Sequence, residues 1–260
     1  MSEIKVYLLD VEGTVAPISF VYEQLFPYAR KRMANFLAES LTDSSVVADL
    51  ALLVEEYRTE KDADVPGLSS HGFPEPFASD LASETCGQRK KRFRAAGLQC
   101  VVAYLQWLMD RDRKSTALKS LQGKIWKSGF ESGELKGELF PDVPAALKRW
   151  SELARVAIYS SGSVEAQRLL FRYSNFGDLT GLIAANFDTQ TGPKQAPASY
   201  AAIAAAMKVD PAEVLFFSDV VPELDAAREA GCQTRLVARE GNAPVADTHG
   251  HMVIDSFEQT

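Results

Sequence analysis

The chain has 260 residues, of which 46% are hydrophobic and 24% are charged, and its formal net charge is −7. This length predicts one or two domains with a sizeable core, and this composition is typical of a globular protein in solution. The negative charge argues against a broad nucleic-acid-binding surface, and the sequence has neither an apolar run of about 20 residues for a membrane span nor a signal-peptide pattern at its N-terminus.

The first predicted element is a short strand that ends on an acidic residue. Residues 6–9 form an apolar run followed by Asp10, Glu12 and Gly13. Such a run is typical of a strand buried on both faces of a parallel sheet, where Asp10 lies at the ligand-binding carboxyl end. Two carboxylates this close suit a hard cation such as Mg²⁺. They also suit a nucleophile beside a general acid/base.

In residues 17–136 the only regular elements predicted are helices. Pro27 should kink or break the first helix, and Thr42 or Asp43 should cap the second. A long loop rich in proline and glycine follows over residues 62–80. Four helices are predicted in this segment, over residues 17–38, 44–60, 88–113 and 117–128.

After residue 137 strands alternate with helices. Strands are predicted over residues 156–159, 182–185, 214–217 and 234–238, and helices over residues 145–153, 164–173, 197–207 and 223–230. This alternation predicts an α/β fold with a doubly wound parallel sheet. Residues 1–16 and 137–260 would form this core, and residues 17–136 would form a helical cap inserted after the first strand. His249 and His251 near the end are predicted to lie on a solvated tail.

Three predicted strands end in polar residues at the same edge of the sheet. They are followed by Asp10, by Ser160 and Ser161, and by Asp219. The two serines begin a helix, where hydroxyls and free amides can hold an anion, although capping of that helix by Ser161 or Ser163 is the simpler interpretation.

Two further charged residues belong to this prediction. Lys194 lies in a loop, and Glu223 lies one helical turn after Asp219. A single loop lysine is usually solvated, and an acid at that position often only caps a helix. Taken together, however, two acids for a metal, a nucleophilic carboxylate, a hydroxyl pair and a lysine for a phosphate suit phosphoryl transfer to aspartate.

The segments that carry these residues resemble those of a known family. The four segments, in this order, are similar to the four motifs of the haloacid dehalogenase superfamily. The chain resembles the enolase-phosphatase subgroup (acireductone synthases) more closely than the rest of the superfamily. Most phosphatases of the superfamily have aspartate where this chain has Glu12, whereas the subgroup has glutamate. The matching segments are residues 10–14, 17–20, 121–126, 133–137, 159–167, 186–189 with Lys194, and 218–225.

The resemblance implies roles for the candidate residues. Asp10 would be the nucleophile that forms an aspartyl-phosphate, and Glu12 would be the acid/base. Ser160, Ser161 and Lys194 would bind the phosphate. The Asp10 carboxylate, the Glu12 carbonyl and Asp219 would bind one Mg²⁺ per chain, and Glu223 would support the site.

The subgroup's reaction has two steps. A 2,3-diketo-5-methylthiopentyl 1-phosphate is enolised, and the enol phosphate is hydrolysed to an acireductone and phosphate in methionine salvage. Glu12 or the cap residue Lys124 would be the enolisation base, and the cap would close over the substrate. We expect a cytoplasmic monomer with reduced cysteines and a small phosphate ester as substrate, and we expect no nucleic-acid or membrane partner.

Four other functions fit part of the pattern. A sugar-phosphate phosphatase of the same superfamily would use the same residues, and a mutase would return the phosphoryl group to its substrate. A non-catalytic phosphate-binding module would share the fold, but it has no use for a nucleophile beside a general acid. A dehalogenase fits less well, because it needs neither Glu12 nor Asp219.

Overall fold

The computed structural model describes residues 2–61, 64–65 and 98–260. It divides into two compact units, a sheet unit (Met1–Gln24 and Gly129–Thr260) and a helical unit (Leu25–Ser128). The helical unit is shorter at both ends than the predicted range of 17–136. The reason is that residues at both ends of that range contact the sheet unit. Gln24 Nε2 donates to Glu138 Oε2 at 2.9 Å, and Phe130 stacks on Tyr173 with ring centroids 5.9 Å apart.

Four of the α-helices that the structure describes begin in the helical unit. A π-helix over Phe20–Leu25 precedes them, so the predicted first helix is divided just before Pro27, whose ring nitrogen has no hydrogen to donate. Asp43 caps the second helix by accepting a hydrogen bond from the Ser45 amide at 2.8 Å. The helices are α1 (Phe26–Glu39), α2 (Ser44–Thr59), α3 (Leu98–Asp110) and α4 (Thr116–Glu131).

Some of the predicted elements cannot be compared with the structure. Residues 88–97 of the predicted third helix and most of the predicted loop over residues 62–80 lie outside the described residues. Among the helices that are described, none is both long and apolar enough to cross a membrane.

The sheet unit contains six parallel strands in the order β3-β2-β1-β4-β5-β6, which confirms the predicted fold class. The strand order reverses at β1, and this is the point at which open α/β sheets bind their ligands. The strands are β1 (Val6–Leu9), β2 (Arg155–Tyr159), β3 (Ala185–Phe187), β4 (Val214–Ser218), β5 (Gln233–Val237) and β6 (Met252–Ile254). Its helices are α5 (Val143–Leu153), α6 (Val164–Arg172), α7 (Pro197–Ala206) and α8 (Val221–Glu229).

Both faces of the sheet are covered at β1, which explains why this strand is an unbroken apolar run. On one face Tyr7 stacks on Trp150 of α5 with ring centroids 4.9 Å apart. On the other face Leu8 and Phe216 pack in one core cluster with Tyr200 of α7 and with α8. Residues that alternate along β1 therefore face opposite layers, and the strand is fixed in register.

Three sequence predictions need correction here. The strand predicted over residues 182–185 begins at Ala185, because Thr180–Leu182 form a turn of 3₁₀-helix. Strand β6 was not predicted, since it has only three residues and two of them are exposed. The predicted solvated tail is wrong for His251, which is buried, although His249 is exposed as predicted. The rings of His249 and His251 contact Asp225 at 2.5 and 3.1 Å. Pairing of β6 with β5 holds this segment on the sheet.

Candidate active site

Asp10 occupies the centre of the candidate site. It directly follows β1 and is buried, with 2% of its surface exposed. Its Oδ1 accepts the Val11 amide at 2.8 Å and its Oδ2 accepts the Ser218 hydroxyl at 3.2 Å. These donors fix the carboxylate in one orientation at the switch point of the sheet, as a nucleophile requires.

Lys194 links Asp10 to a second buried acid. Its Nζ lies 2.6 Å from Asp10 Oδ1 and 2.6 Å from Glu223 Oε2, and Glu223 also accepts the Ser218 hydroxyl at 3.1 Å. Burial acts to lower the pKa of Lys194, but the two carboxylates outweigh it and raise that pKa above its usual range. Lys194 is therefore a permanent cation beside Asp10. Burial and the charge of Asp10 raise the pKa of Glu223 to about 7.

Glu12 has a different environment from Asp10. Its Oε2 and Oε1 lie 3.2 and 3.3 Å from the Ser160 hydroxyl, which also accepts the Gly162 amide at 3.0 Å. Burial, followed by repulsion from Asp10, raises the pKa of Glu12 above its ordinary value. Glu12 is thus readier to carry a proton than an ordinary glutamate, as a general acid requires.

The serines after β2 have separate positions. Ser160 is buried and contacts Glu12, whereas Ser161 is exposed. The hydroxyl of Ser163 caps α6 by accepting the Ala166 amide at 3.3 Å. Because Ser163 fills the capping role, Ser160 and Ser161 do not need to perform it.

Asp219 lies against the loop that follows β1. A Cβ added to Gly13 would fall 2.3 Å from Asp219 Oδ2, so only glycine permits this approach. Gly13 also has φ +70°, a left-handed conformation that favours glycine. Burial and the charges of Asp10 and Glu12 raise the pKa of Asp219 to about 7. Asp10, Glu12 and Asp219 therefore belong to one electrostatic cluster.

The close approach at Gly13 gives a prediction with a built-in control. Gly13→Ala should lower the free energy of unfolding by about 1–2 kcal/mol from backbone strain and should also displace Asp219, which reduces activity. Gly177→Ala has comparable strain, at φ +86°, but its Cβ would meet nothing within 4 Å. Urea unfolding should show similar stability losses in the two variants, whereas phosphate release should fall only in Gly13→Ala. Equal activity in the two variants would contradict the crowding argument.

Comparison with known proteins identifies the family. The model for "Hydrolase: haloacid dehalogenase-like hydrolase" matches residues 4–231. Enolase-phosphatase E1 from Synechococcus elongatus is 50% identical over 98% of this chain and 97% of its own, and Enolase-phosphatase E1 from Drosophila persimilis is 42% identical over 94% and 88%. This chain belongs to the enolase-phosphatase family. UTR4 protein (Unknown transcript 4 protein) from Saccharomyces cerevisiae has a solved structure with a TM-score of 0.71, 35% identity, and coverage of 99% of this chain and 100% of its own.

Membership of the enolase-phosphatase family confirms the predicted resemblance and the predicted enzyme class, a phosphoric monoester hydrolase. It also confirms the parallel sheet with flanking helices. A small phosphate ester is consistent with this class as a substrate.

Haloacid dehalogenase-like hydrolases are generally Mg²⁺-dependent. The oxygen atoms of the candidate site can therefore be compared with the ligands that Mg²⁺ prefers. The cluster of Asp10 and Asp219 offers hard carboxylate oxygens, and their mutual repulsion is what a divalent cation would relieve. In the parts of the chain that the structure describes, no three His, Cys, Asp or Glu side chains converge as a ready-made metal centre. The residues fit Mg²⁺ if backbone and water oxygens complete its coordination.

Lys124 belongs to the helical unit, on α4. Its Nζ forms an ion pair with Asp49 and lies 3.0 Å from Ser120 Oγ. The structure thus assigns this ammonium partners within its own unit.

Sequence reasoning missed three residues that contact the candidate site. Ser218 bridges Asp10 and Glu223, and Arg239 and Asn242 contact the loop after β1. Ser218 precedes Asp219 at a strand end, which was a usable signal. Arg239 and Asn242 follow β5, about 230 residues from that loop, and their spacing gave no signal.

Proposed function

We propose that this chain is an enolase-phosphatase that converts a 2,3-diketo-5-methylthiopentyl 1-phosphate to an acireductone and phosphate in methionine salvage. The observation that carries the proposal is the pairing of Asp10 and Glu12 in different settings, one fixed by Lys194 and Ser218 and the other facing Ser160 with a raised pKa. The enzyme acts as a cytoplasmic monomer on a small phosphate ester, and the helical unit serves as its cap.

Phosphoryl transfer begins at Asp10. One carboxylate oxygen of Asp10 attacks phosphorus, the bond to the leaving oxygen breaks, and an aspartyl-phosphate forms. Glu12 gives its proton to the leaving oxygen and then takes a proton from the water that cleaves the aspartyl-phosphate. Lys194, Ser160 and Ser161 hold the phosphate oxygens, and the charge of Lys194 offsets repulsion between the anionic nucleophile and the anionic ester.

The Asp10 carboxylate, the Glu12 carbonyl and Asp219 would hold one Mg²⁺. When bound, this cation supplies positive charge for the phosphate and for a developing enolate oxygen. Glu223 supports the site by fixing Lys194.

Enolisation needs a base before the phosphate is cleaved. Glu12 is the better candidate, because the ammonium of Lys124 is already engaged by Asp49 and Ser120. A carboxylate with a raised pKa is the stronger base. Once it has taken the carbon-bound proton, it is protonated and ready to act as the acid of the next step.

The test is an anaerobic reaction with the diketo phosphate, followed by NMR. We expect acireductone and free phosphate in equal amounts, with exchange of the carbon-bound proton for deuterium. Phosphate released with intact diketone alcohol would leave a plain phosphatase, and turnover of sugar phosphates alone would favour that alternative. A phosphoryl group returned to substrate would indicate a mutase, and binding without Mg²⁺-dependent turnover would indicate a non-catalytic module.

The proposed ligands predict how metal dependence responds to substitution. Asp219→Asn removes a charged cation ligand, whereas Ser160→Ala removes a hydrogen bond to phosphate that is typically worth about 1–3 kcal/mol. Titration of activity against Mg²⁺ should therefore show a raised Mg²⁺ requirement in Asp219→Asn and a raised KM at unchanged Mg²⁺ requirement in Ser160→Ala. An unchanged requirement in Asp219→Asn would remove this residue from the metal site.

A further inference from the structure

The loop after β5 contacts the loop after β1 at two successive carbonyl groups. Asn242 Nδ2 donates to the Gly13 carbonyl at 2.8 Å, and Arg239 Nε donates to the Thr14 carbonyl at 3.2 Å. The loop from Asp10 to Ala16 carries both proposed catalytic carboxyls. These two contacts therefore act on the backbone that carries Asp10 and Glu12.

The inner side of the Asp10–Ala16 loop is fixed by its own hydrogen bonds. The Val11 carbonyl accepts the amides of Thr14, Val15 and Ala16 at 3.2, 3.0 and 2.9 Å. These bonds set the turn, and the contacts from Arg239 and Asn242 hold its opposite side. The loop is thereby held from both sides.

Arg239 is itself rigidly placed. Its guanidinium lies 4.6 Å from the ring centroids of both Phe140 and Phe257, and its Nη1 contacts Asp142 Oδ2 at 2.8 Å. Only 6% of its side chain is exposed. Asp142 in turn accepts the Phe257 amide at 2.6 Å. A guanidinium that contacts two aromatic rings and pairs with the half-buried Asp142 has little freedom to move, so it holds the Thr14 carbonyl in a fixed position.

We infer that Arg239 and Asn242 are positioning residues, which hold the loop after β1 so that Asp10 and Glu12 meet the phosphate ester in reactive geometry. This inference rests on the proposed function. Reacting atoms must approach to about 3–3.5 Å in line, and a misplacement of about 1 Å can lower a rate about a hundredfold. Two hydrogen bonds that locate adjacent peptide groups control displacements on this scale.

Two variants separate positioning from stability. Asn242→Ala removes the hydrogen bond to Gly13. Arg239→Lys keeps a cation beside Asp142 but has no Nε–H for the Thr14 carbonyl. Each has a matched control outside the loop. Gln233 Nε2 donates to the Ala212 carbonyl at 2.9 Å, and Arg228 pairs with Asp225 at 2.6 Å and donates to the His249 carbonyl at 2.8 Å. Gln233→Ala and Arg228→Lys should leave activity unchanged.

The measurements are kcat, KM and the thermal midpoint, with p-nitrophenyl phosphate as a general phosphate monoester and saturating Mg²⁺. We expect kcat to fall about tenfold or more in Asn242→Ala and Arg239→Lys, with KM within about twofold. The thermal midpoint of Asn242→Ala should stay close to that of Gln233→Ala. That of Arg239→Lys should be lower than that of Arg228→Lys, because Arg239 is buried and Arg228 is exposed, so kcat is measured well below both midpoints. If kcat stays within about twofold of the unmodified enzyme, or falls only in proportion to stability, the inference is overturned. An unmodified enzyme that releases no phosphate from any ester would instead refute the proposed function.

Discussion

Asp10→Asn should abolish phosphate release while the protein remains folded. The amide has nearly the same shape and can occupy the same position after β1, but it is a poor nucleophile and a weaker ligand for a cation. Loss of a nucleophile of this kind typically lowers the rate by several orders of magnitude, because no other group replaces it. The measurement is phosphate released per enzyme over hours, beside a circular dichroism melt.

Asp188→Asn provides the matched control for this variant. Asp188 directly follows β3 at the same edge of the sheet and is also buried, but its Oδ1 only accepts the Gln190 amide at 2.9 Å. We expect it to keep activity while losing some stability. Near-normal phosphate release by Asp10→Asn, or equal loss in both variants, would contradict the role of Asp10.

The same variant separates the two steps of the proposed reaction. Removal of a carbon-bound proton requires no aspartyl-phosphate, so Asp10→Asn should still exchange that proton for deuterium if it retains Mg²⁺. Metal content is therefore measured before the exchange experiment. Exchange without phosphate release would assign enolisation to Glu12 or Lys124 rather than to Asp10.

The strand-end residues were predictable because of a general property of parallel sheets. Asp10, Ser160 and Asp219 follow three adjacent strands, and carboxyl ends of parallel strands meet at one edge wherever the chain is folded in this way. The apolar runs before these residues locate the strands. Each polar residue directly after a run is then predicted to lie at the carboxyl edge of the sheet, near the other two. The cap of the helix after β2 was predicted at Ser161 or Ser163, and Ser163 is the cap in the structure. The anion-binding role of Ser160 stays a prediction.

Contacts between distant parts of the chain were not predictable in this way. Lys194 reaches both Asp10 and Glu223, yet a lysine after glycine and proline reads equally well as solvated surface. Arg239, which donates to the Thr14 carbonyl, contacts Phe257 from the segment after the short strand β6 and Asp142 from the residue before α5. Short elements at a sheet edge carry almost no periodicity, so the sequence alone did not indicate them.

The second large effect is expected at Lys194. Lys194→Met keeps most of the aliphatic stem but leaves Asp10 and Glu223 buried without their shared cation. Removing one partner of a buried ion pair typically destabilises a protein by about 3–5 kcal/mol, because the remaining charge is uncompensated. Activity should fall as well, by about a hundredfold or more, since charge on the nucleophile and the phosphate is no longer offset.

A second substitution shows which part of this effect belongs to catalysis. Glu223→Gln in the Lys194→Met background removes one of the two uncompensated carboxylates. The new side-chain amide can still accept the hydrogen bond from the Ser218 hydroxyl. Urea unfolding should therefore show stability largely regained in the double variant, while phosphate release stays at the level of Lys194→Met. If activity returns together with stability, Lys194 acts only on the fold. If the double variant remains unstable while Glu223→Gln alone is stable, the loss of stability arises from the unpaired carboxylate of Asp10. Asp10 is then the residue whose burial depends on the charge of Lys194.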